Sequence, residues 1–468
     1  MAVATFALLG ASDTELLVAC LVATLVVPIL TRGLIQGRFD FFYPPTLLSF
    51  LILIGYLLPL RSFMRGEDIL TTAWPYLYRN FDRALNLALG LTILGAWSFF
   101  LGFAAATRLR SRPFRGAWAF VPGRLLLVGV VYTLLGLAMF AMGVVLVGGP
   151  AALVAGLADR IRAFAGLNYF FMAVFLPLDV ALMWWAYVLA TRRLFNPWFW
   201  LYAVSALVLS TLTGTRANTF VVVLSAVILY HLMYKTISFR RVLVLLAIGV
   251  VALVALQLFI HEFLIIGQLA SVGTNSSLSQ LWSRLAWSLS SDFYQIQALT
   301  LVVDAVPNAI PYQHGSTYVP LLLAPIPSSI WAGKLDFLLS PGVLTHALWP
   351  QSWLQTGTTL PPSLMGEMYM NFGAPGVGIG MVLFGALYGR AYASVKRNRE
   401  NPFVTIPYAA IVAVMVHYIR GEFSAPTILF LFLALPVVAA APLVATRKAK
   451  GQAPWAGSRS HRPADAAG

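Results

Sequence analysis

The sequence predicts an all-α polytopic membrane protein of about 11 transmembrane helices, with one large loop on the outer side. Three observations predict it. Apolar residues make up 60% of the chain and charged residues only 10%, and the mean hydropathy is +0.82, outside the soluble range. Apolar runs of bilayer-crossing length recur at 14–31, 41–60, 84–106, 124–148, 168–190, 197–213, 218–234, 242–263, 373–394, 403–419 and 424–445. Bases collect in alternate loops, as short cytoplasmic loops retain them.

The first run, Glu15 to Arg32, has acids rather than bases in front and no small-residue cleavage pattern behind, so it reads as a span and not a signal peptide. Cys20, the sole cysteine, lies inside it, so no intrachain disulfide and no thiolate metal cluster is expected. The basic loops hold Arg32 and Arg38; Arg108, Arg110, Arg112, Arg115 and Arg124; Arg192 and Arg193; Lys235, Arg240 and Arg241; Arg390, Lys396, Arg397 and Arg399; and Arg447, Lys448 and Lys450. With Arg459 and Arg462 these are 21 of the 31 bases, joined by only Asp40, Glu400 and Asp465. These loops are expected on the cytoplasmic side, with the N-terminus outside and the C-terminus inside. The net charge of +15 is therefore a topology signal directed at anionic lipid headgroups, not at nucleic acid.

The expected organisation is residues 1–263 as spans one to eight, 264–372 as an outer loop, 373–446 as spans nine to eleven, and 447–468 as a disordered cytoplasmic tail. A loop of that length is functional or disordered far more often than it is a mere connection, and its composition is not that of disorder. Leu278, Leu281, Trp282, Leu285, Leu289, Phe293 and Ile296 recur at helical spacing, with Gln280, Arg284, Ser288, Asp292 and Gln295 opposite. A helix lying on the membrane would bury the first set and show the second to a water-filled groove. A solvated stripe with no catalytic part accounts for the pattern equally. Pro320, Pro325 and Pro327 then forbid a continuous spanning helix, leaving a short re-entrant or interfacial piece. Trp349 and Trp353 suit either an interface belt or a surface that stacks on sugar rings, and His314 joins them as a substrate-binding candidate.

Conventional motifs are missing. The chain has no G-x-x-x-x-G-K-[ST] loop and no H-E-x-x-H, and its six histidines are scattered, so neither nucleotide-driven transport, a metal nor a cofactor is expected. Ion-coupled carriers bury acids in their helices, whereas here only Asp179 sits well inside a span. Charge instead gathers at three outer junctions: Arg216 in "LTGTRANTF", Arg420 and Glu422 in "YIRGEF", and Glu367, Tyr369 and Asn371 opening span nine. In the expected orientation all three end at one depth. Guanidinium binds phosphate oxygens in bidentate fashion and keeps its proton, which suits a lipid diphosphate at headgroup level. A neighbouring carboxylate would accept a proton from a sugar hydroxyl. The same residues also suit interfacial anchors paired with one another.

The order "TGTRANTF", "APIPSSIWAGK", "PPSLMGEMYMNFGAPGVGIGMVLFGALYGR" and "YIRGEF" resembles the O-antigen polymerase family, Wzy-type oligosaccharide repeat-unit polymerases. The "GE-x-Y-x-NFG-x-x-G" core is its most telling piece. The resemblance covers roughly residues 205 to 425 and departs from the family pattern at Ser328 and Leu335. It implies a GT-C-like membrane glycosyltransferase that joins undecaprenyl-diphosphate-linked donor and acceptor oligosaccharides on the periplasmic side of the bacterial inner membrane, with a chain-length co-polymerase as a further partner. In that reading Arg216 and Arg420, with Arg284 behind them, bind the diphosphates. Glu367 is the first choice of base, with Asp292 and Glu422 as rivals, and Tyr369 and Asn371 orient the acid or the acceptor. A glycan ligase sharing the donor and a lipid-oligosaccharide flippase are the alternatives. The glycines at 376, 378, 380, 385 and 389 are expected to pack the helix below Glu367 closely against a neighbour.

Overall fold

The computed structural model describes residues 13–36, 40–66, 74–109, 118–156, 167–193, 195–212, 216–238, 240–242, 244–245, 248–249, 293–326, 331, 338–356 and 359–447. Its elements are α1 (Thr14–Gln36), α2 (Pro44–Ile52, continuing to Met64), α3 (Phe81–Arg108), β1 (Trp118–Phe120), α4 (Pro122–Val147), α5 (Phe175–Thr191), α6 (Pro197–Leu212), α7 (Arg216–Met233), α8 (Gln295–Ala305), α9 (Ser340–Leu348), α10 (Leu364–Arg397), α11 (Pro402–Arg420), α12 (Ser424–Val444) and β2 (Ala445–Arg447), with several single turns between. Eight helices among the described residues are long and apolar enough to cross a membrane, and α6 and α7 supply two shorter apolar ones. The run at 242–263 falls almost wholly outside the described residues.

Helix ends follow local chemistry. The Asn80 side chain accepts from the Arg83 N–H at 3.1 Å and starts α3, and Asn401 accepts from the Phe403 N–H at 3.0 Å and starts α11 with Pro402 behind it. Gly148, at φ 108°, ends α4 in the left-handed region. The tightest packing is α3 on α10. A Cβ on Gly102 would strike the Val382 carbonyl and one on Gly385 the Phe99 carbonyl, while one on Gly389 would stand 2.6 Å from the Phe103 carbonyl. These glycines let the two backbones touch, as the small-residue stripe predicts.

The bundle has two distinct ends. At one, β1 pairs antiparallel with β2, Trp118 packs on Phe403, His231 Nε2 lies 3.2 Å from Asp40 Oδ1, and the Arg192 guanidinium sits over the Tyr234 ring. Every loop so joined belongs to the basic set, and this is the alternation the charges predict. At the other end, residues 74–79, α8, α9 and the starts of α10 and α12 converge.

One expectation is corrected. Gln295, expected on a stripe facing water, is only 3% exposed and its amide lies against Gly55; every residue of α8 is buried. Part of the polar demand of α8 is met within the protein. Thr300 donates to the Ile296 carbonyl at 2.8 Å, and Asp304 accepts from the Tyr76 hydroxyl and the Arg79 N–H, each at 3.1 Å. The rest of the expected surface helix, 278–292, with Arg284 and Asp292, lies outside the described residues. Of the proline-broken segment, the described residues include one short helical turn, Val319–Leu323, with Pro320 in its first turn.

Candidate functional site

Glu367 is positioned by a break in α10. Phe372 (φ −141°, ψ 15°) and Gly373 (φ 65°, ψ −156°) are non-helical, so residues 364–371 form their own short helix. Gly373 adopts a backbone region open chiefly to glycine. Pro375 stands just after the break, where a helix tolerates a missing N–H. In a straight helix residues 368 and 380 would stand about 18 Å apart. Here a Cβ on Gly380 would lie 2.6 Å from Met368 Sδ, and one on Gly376 would lie 2.5 Å from the Met368 carbonyl. The short helix therefore folds back along the spanning one. The "NFG-x-x-G" spacing makes the turn with its first glycine and receives the returning segment with its second.

Folding back buries Glu367 completely, with each carboxylate oxygen engaged. Oε1 accepts from the Thr317 hydroxyl at 2.9 Å and Oε2 from the Phe423 N–H at 2.6 Å. Asn371, one turn later, donates to Thr317 Oγ1 at 2.8 Å and to the Glu367 carbonyl at 2.9 Å, and its Oδ1 accepts from the Gly315 N–H at 2.7 Å. Asn371 thus orients the hydroxyl that orients the acid. Ser363, held at φ 68°, accepts from the Gly366 N–H at 3.2 Å and caps the short helix.

Glu422 is the second acid of the cluster. It is 4% exposed, and its Oε2 accepts from the Ser340 hydroxyl of α9 at 3.0 Å. Burial pushes its carboxyl up to about 7, against the hydrogen bonds from Ser340 and the backbone that favour the charged form. Four segments distant in sequence meet here: the turn at 315–318, the start of α9, the start of α10 and the α11–α12 junction.

Arg420 ends α11, one turn after His417, whose two ring nitrogens are buried with no hydrogen bond among the described residues. Arg216 begins α7; its side chain lies outside the described residues. Its level follows from α7 and α11, which run antiparallel, with Thr405 Oγ1 3.6 Å from Met233 Sδ at the far end. Counting back from that contact, Arg216 and Arg420 lie about 25 Å and 22 Å along their helices, so both backbones reach the acid end.

The remaining candidates sit around this core. Tyr369 is buried on another face of the short helix, its ring 6.4 Å from that of Tyr312. His314 (φ 47°) donates its N–H to the Asn371 carbonyl at 3.2 Å, so its backbone belongs to the network. Trp349 donates from Nε1 to the Pro75 carbonyl at 3.0 Å and packs edge-on against Trp74, and Trp353 lies against Gly342 and edge-on to His346. Thr317, Ser340 and Ser363 were not anticipated. Isolated hydroxyls carry no pattern in sequence, although Thr317 follows "HGS" and the two left-handed residues His314 and Gly315. Among the described residues no group of three or more His, Cys, Asp or Glu is arranged to hold a metal ion.

A family model for O-antigen polysaccharide polymerase Wzy matches residues 2–448. No curated protein and no solved structure matches the chain. Members of the family are multi-pass inner-membrane polymerases of the glycosyltransferase type that act on lipid-linked oligosaccharide repeat units. The match extends through the first two hundred residues, where the motifs alone are silent, and on that ground the chain belongs to the O-antigen polysaccharide polymerase Wzy family.

Proposed function

We propose that this chain polymerises undecaprenyl-diphosphate-linked repeat units into a bacterial surface polysaccharide at the periplasmic face of the inner membrane, by metal-independent glycosyl transfer in a GT-C-like bundle. The observation that carries the reading is the acid site itself: Glu367 and Glu422, each hydrogen-bonded, at the end of the bundle that α7 and α11 reach with Arg216 and Arg420.

In the step, an acceptor-sugar hydroxyl attacks the anomeric carbon of the donor glycan. A new glycosidic C–O bond forms, the bond to the carrier diphosphate breaks, and its electron pair leaves on the diphosphate. Arg420 and Arg216 offset that charge. The hydroxyl proton passes to a carboxylate, Glu367 by first choice. Glu367 uses one acceptor position on each oxygen and retains others. In this conformation the rings of Tyr318 and Phe423, edge to face at 6.0 Å, stand beside it, and the acceptor reaches the carboxylate as they part. Glu422, with its carboxyl raised to the neutral range, is the rival base. A chain-length co-polymerase belongs to the same reading.

Purified protein in liposomes, given the lipid-linked repeat unit, is expected to yield a ladder at repeat-unit spacing. Single transfers to another acceptor would identify a ligase, and unchanged units moved across the bilayer a flippase.

A further inference from the structure

An apolar groove begins at the acid site and runs sideways into the hydrocarbon region. One cavity of about 620 Å³ lies along α10 beside Phe372, Ile379 and Leu383, side chains that are more than half exposed. A second, of about 640 Å³, lies between α10, α11 and α12 and is lined from Phe423 and Thr427 down to Pro442. Leu387 and Phe423 stand in the walls of both, so the two join. Phe423 is also the residue whose N–H holds Glu367, and Tyr318 lines the first cavity at the same end.

Three features define the occupant. From Phe423 to Pro442 the wall of α12 rises about 28 Å, close to the thickness of a bilayer core. The cavity along α10 runs roughly 18 Å between Pro375 and Leu387, walled chiefly by Ile379, Leu383, Phe384 and Leu387. A flexible hydrocarbon chain can follow an elongated apolar wall of this kind along its whole length. At Phe423 the groove meets the acid site, with Arg420 at the same junction, so an occupant with an anionic head at that end and a hydrocarbon chain along the rest matches it.

Given that the substrate is a lipid diphosphate, we infer that this groove binds the polyprenyl chain of the carrier, its head held at the α11–α12 junction and its tail laid between α10 and α12. Chain length then contributes to recognition, since each buried methylene adds to binding.

The test uses full-length protein in nanodiscs with a sugar-free, photoreactive polyprenyl diphosphate. Saturable cross-linking to α10 and α12, competed by long-chain but not by short-chain polyprenyl diphosphate, is expected. Ile379→Trp and Leu383→Trp, which fill the groove away from the acid site, should raise KM for the long-chain lipid-linked unit by about tenfold and leave kcat and short-chain turnover unchanged. Equal effects on long and short chains, or competition by phospholipid as effective as by polyprenyl diphosphate, would overturn the inference. So would cross-links to a second copy of the chain. Binding is read apart from polymerisation: saturable, length-dependent binding without a ladder keeps the groove and removes the polymerase reading, whereas a ladder without length dependence does the reverse.

Discussion

Among the buried carboxyl sites of the described residues, Asp179 and the Glu367–Glu422 pair are built differently. Asp179, inside α5, is wholly buried, and neither of its oxygens accepts a hydrogen bond from a described residue. Glu367 is as deeply buried but receives the Thr317 hydroxyl and the Phe423 N–H, and Glu422 nearby receives Ser340. An acid without donors is a solitary solvation cost, whereas donors drawn from three segments distant in sequence mark a polar group for which the fold has been arranged. Burial by itself does not distinguish these two sites; their donors do.

Breaking the arranged site should have the largest effect. Glu367→Gln preserves shape and removes the base, so polymerisation is expected to fall by about 10²–10⁴ with insertion and melting midpoint retained, scored on product ladders. Near-parental activity would leave Glu367 as a bracket for Thr317 and Phe423 only. Arg420→Lys and Arg216→Lys keep the charge and lose the fork, and a drop of about 10² in turnover separates phosphate binding from interfacial anchoring. Thr317→Val removes one donor to Glu367 and the acceptor for Asn371. It should cost about 1–3 kcal/mol of stability by thermal melting, with activity falling alongside.

The pH dependence sharpens the contrast further. Burial raises the Glu422 carboxyl from 4.5 to about 7, so the fold favours its protonated form. That contribution is fully present below 4.5 and is lost as pH rises through about 7. The melting midpoint of detergent-solubilised protein is therefore expected to fall from about pH 5 to about pH 8, and Glu422→Gln should flatten the fall. The smallest effect belongs to the unarranged acid. Asp179→Asn should leave the ladder within about twofold, and Asp179→Leu should leave stability unchanged or raise it by about 1 kcal/mol. A large loss in either would mean that α5 carries chemistry of its own.

Much of this was legible because a bilayer forces it. Ten of the eleven marked runs coincide with apolar helices among the described residues, eight of them long enough to cross a membrane, since apolar length must match hydrocarbon thickness. The glycines facing α3 and the acids at Glu367 and Glu422 were legible too, as residue types that a membrane helix rarely carries without cause. The burial of α8 was not. Gln295 reads as part of a wet face, and only the contacts of α8 with α3, α10 and residues 76–79 make that face an interior one.

By itself, then, the sequence determined the class, the two-ended alternation and the family motif, because hydropathy, charge and close packing act locally along the chain. Tertiary structure alone decided that residues 364–371 turn back on their own helix, that Thr317 and Ser340 arrive from 50 and 82 residues away to hold the acids, and that the groove opens at Phe423. Such contacts depend on where whole helices stop in space. No window of sequence encodes that, because a hydroxyl looks the same in the chain whether it meets water or a buried carboxylate.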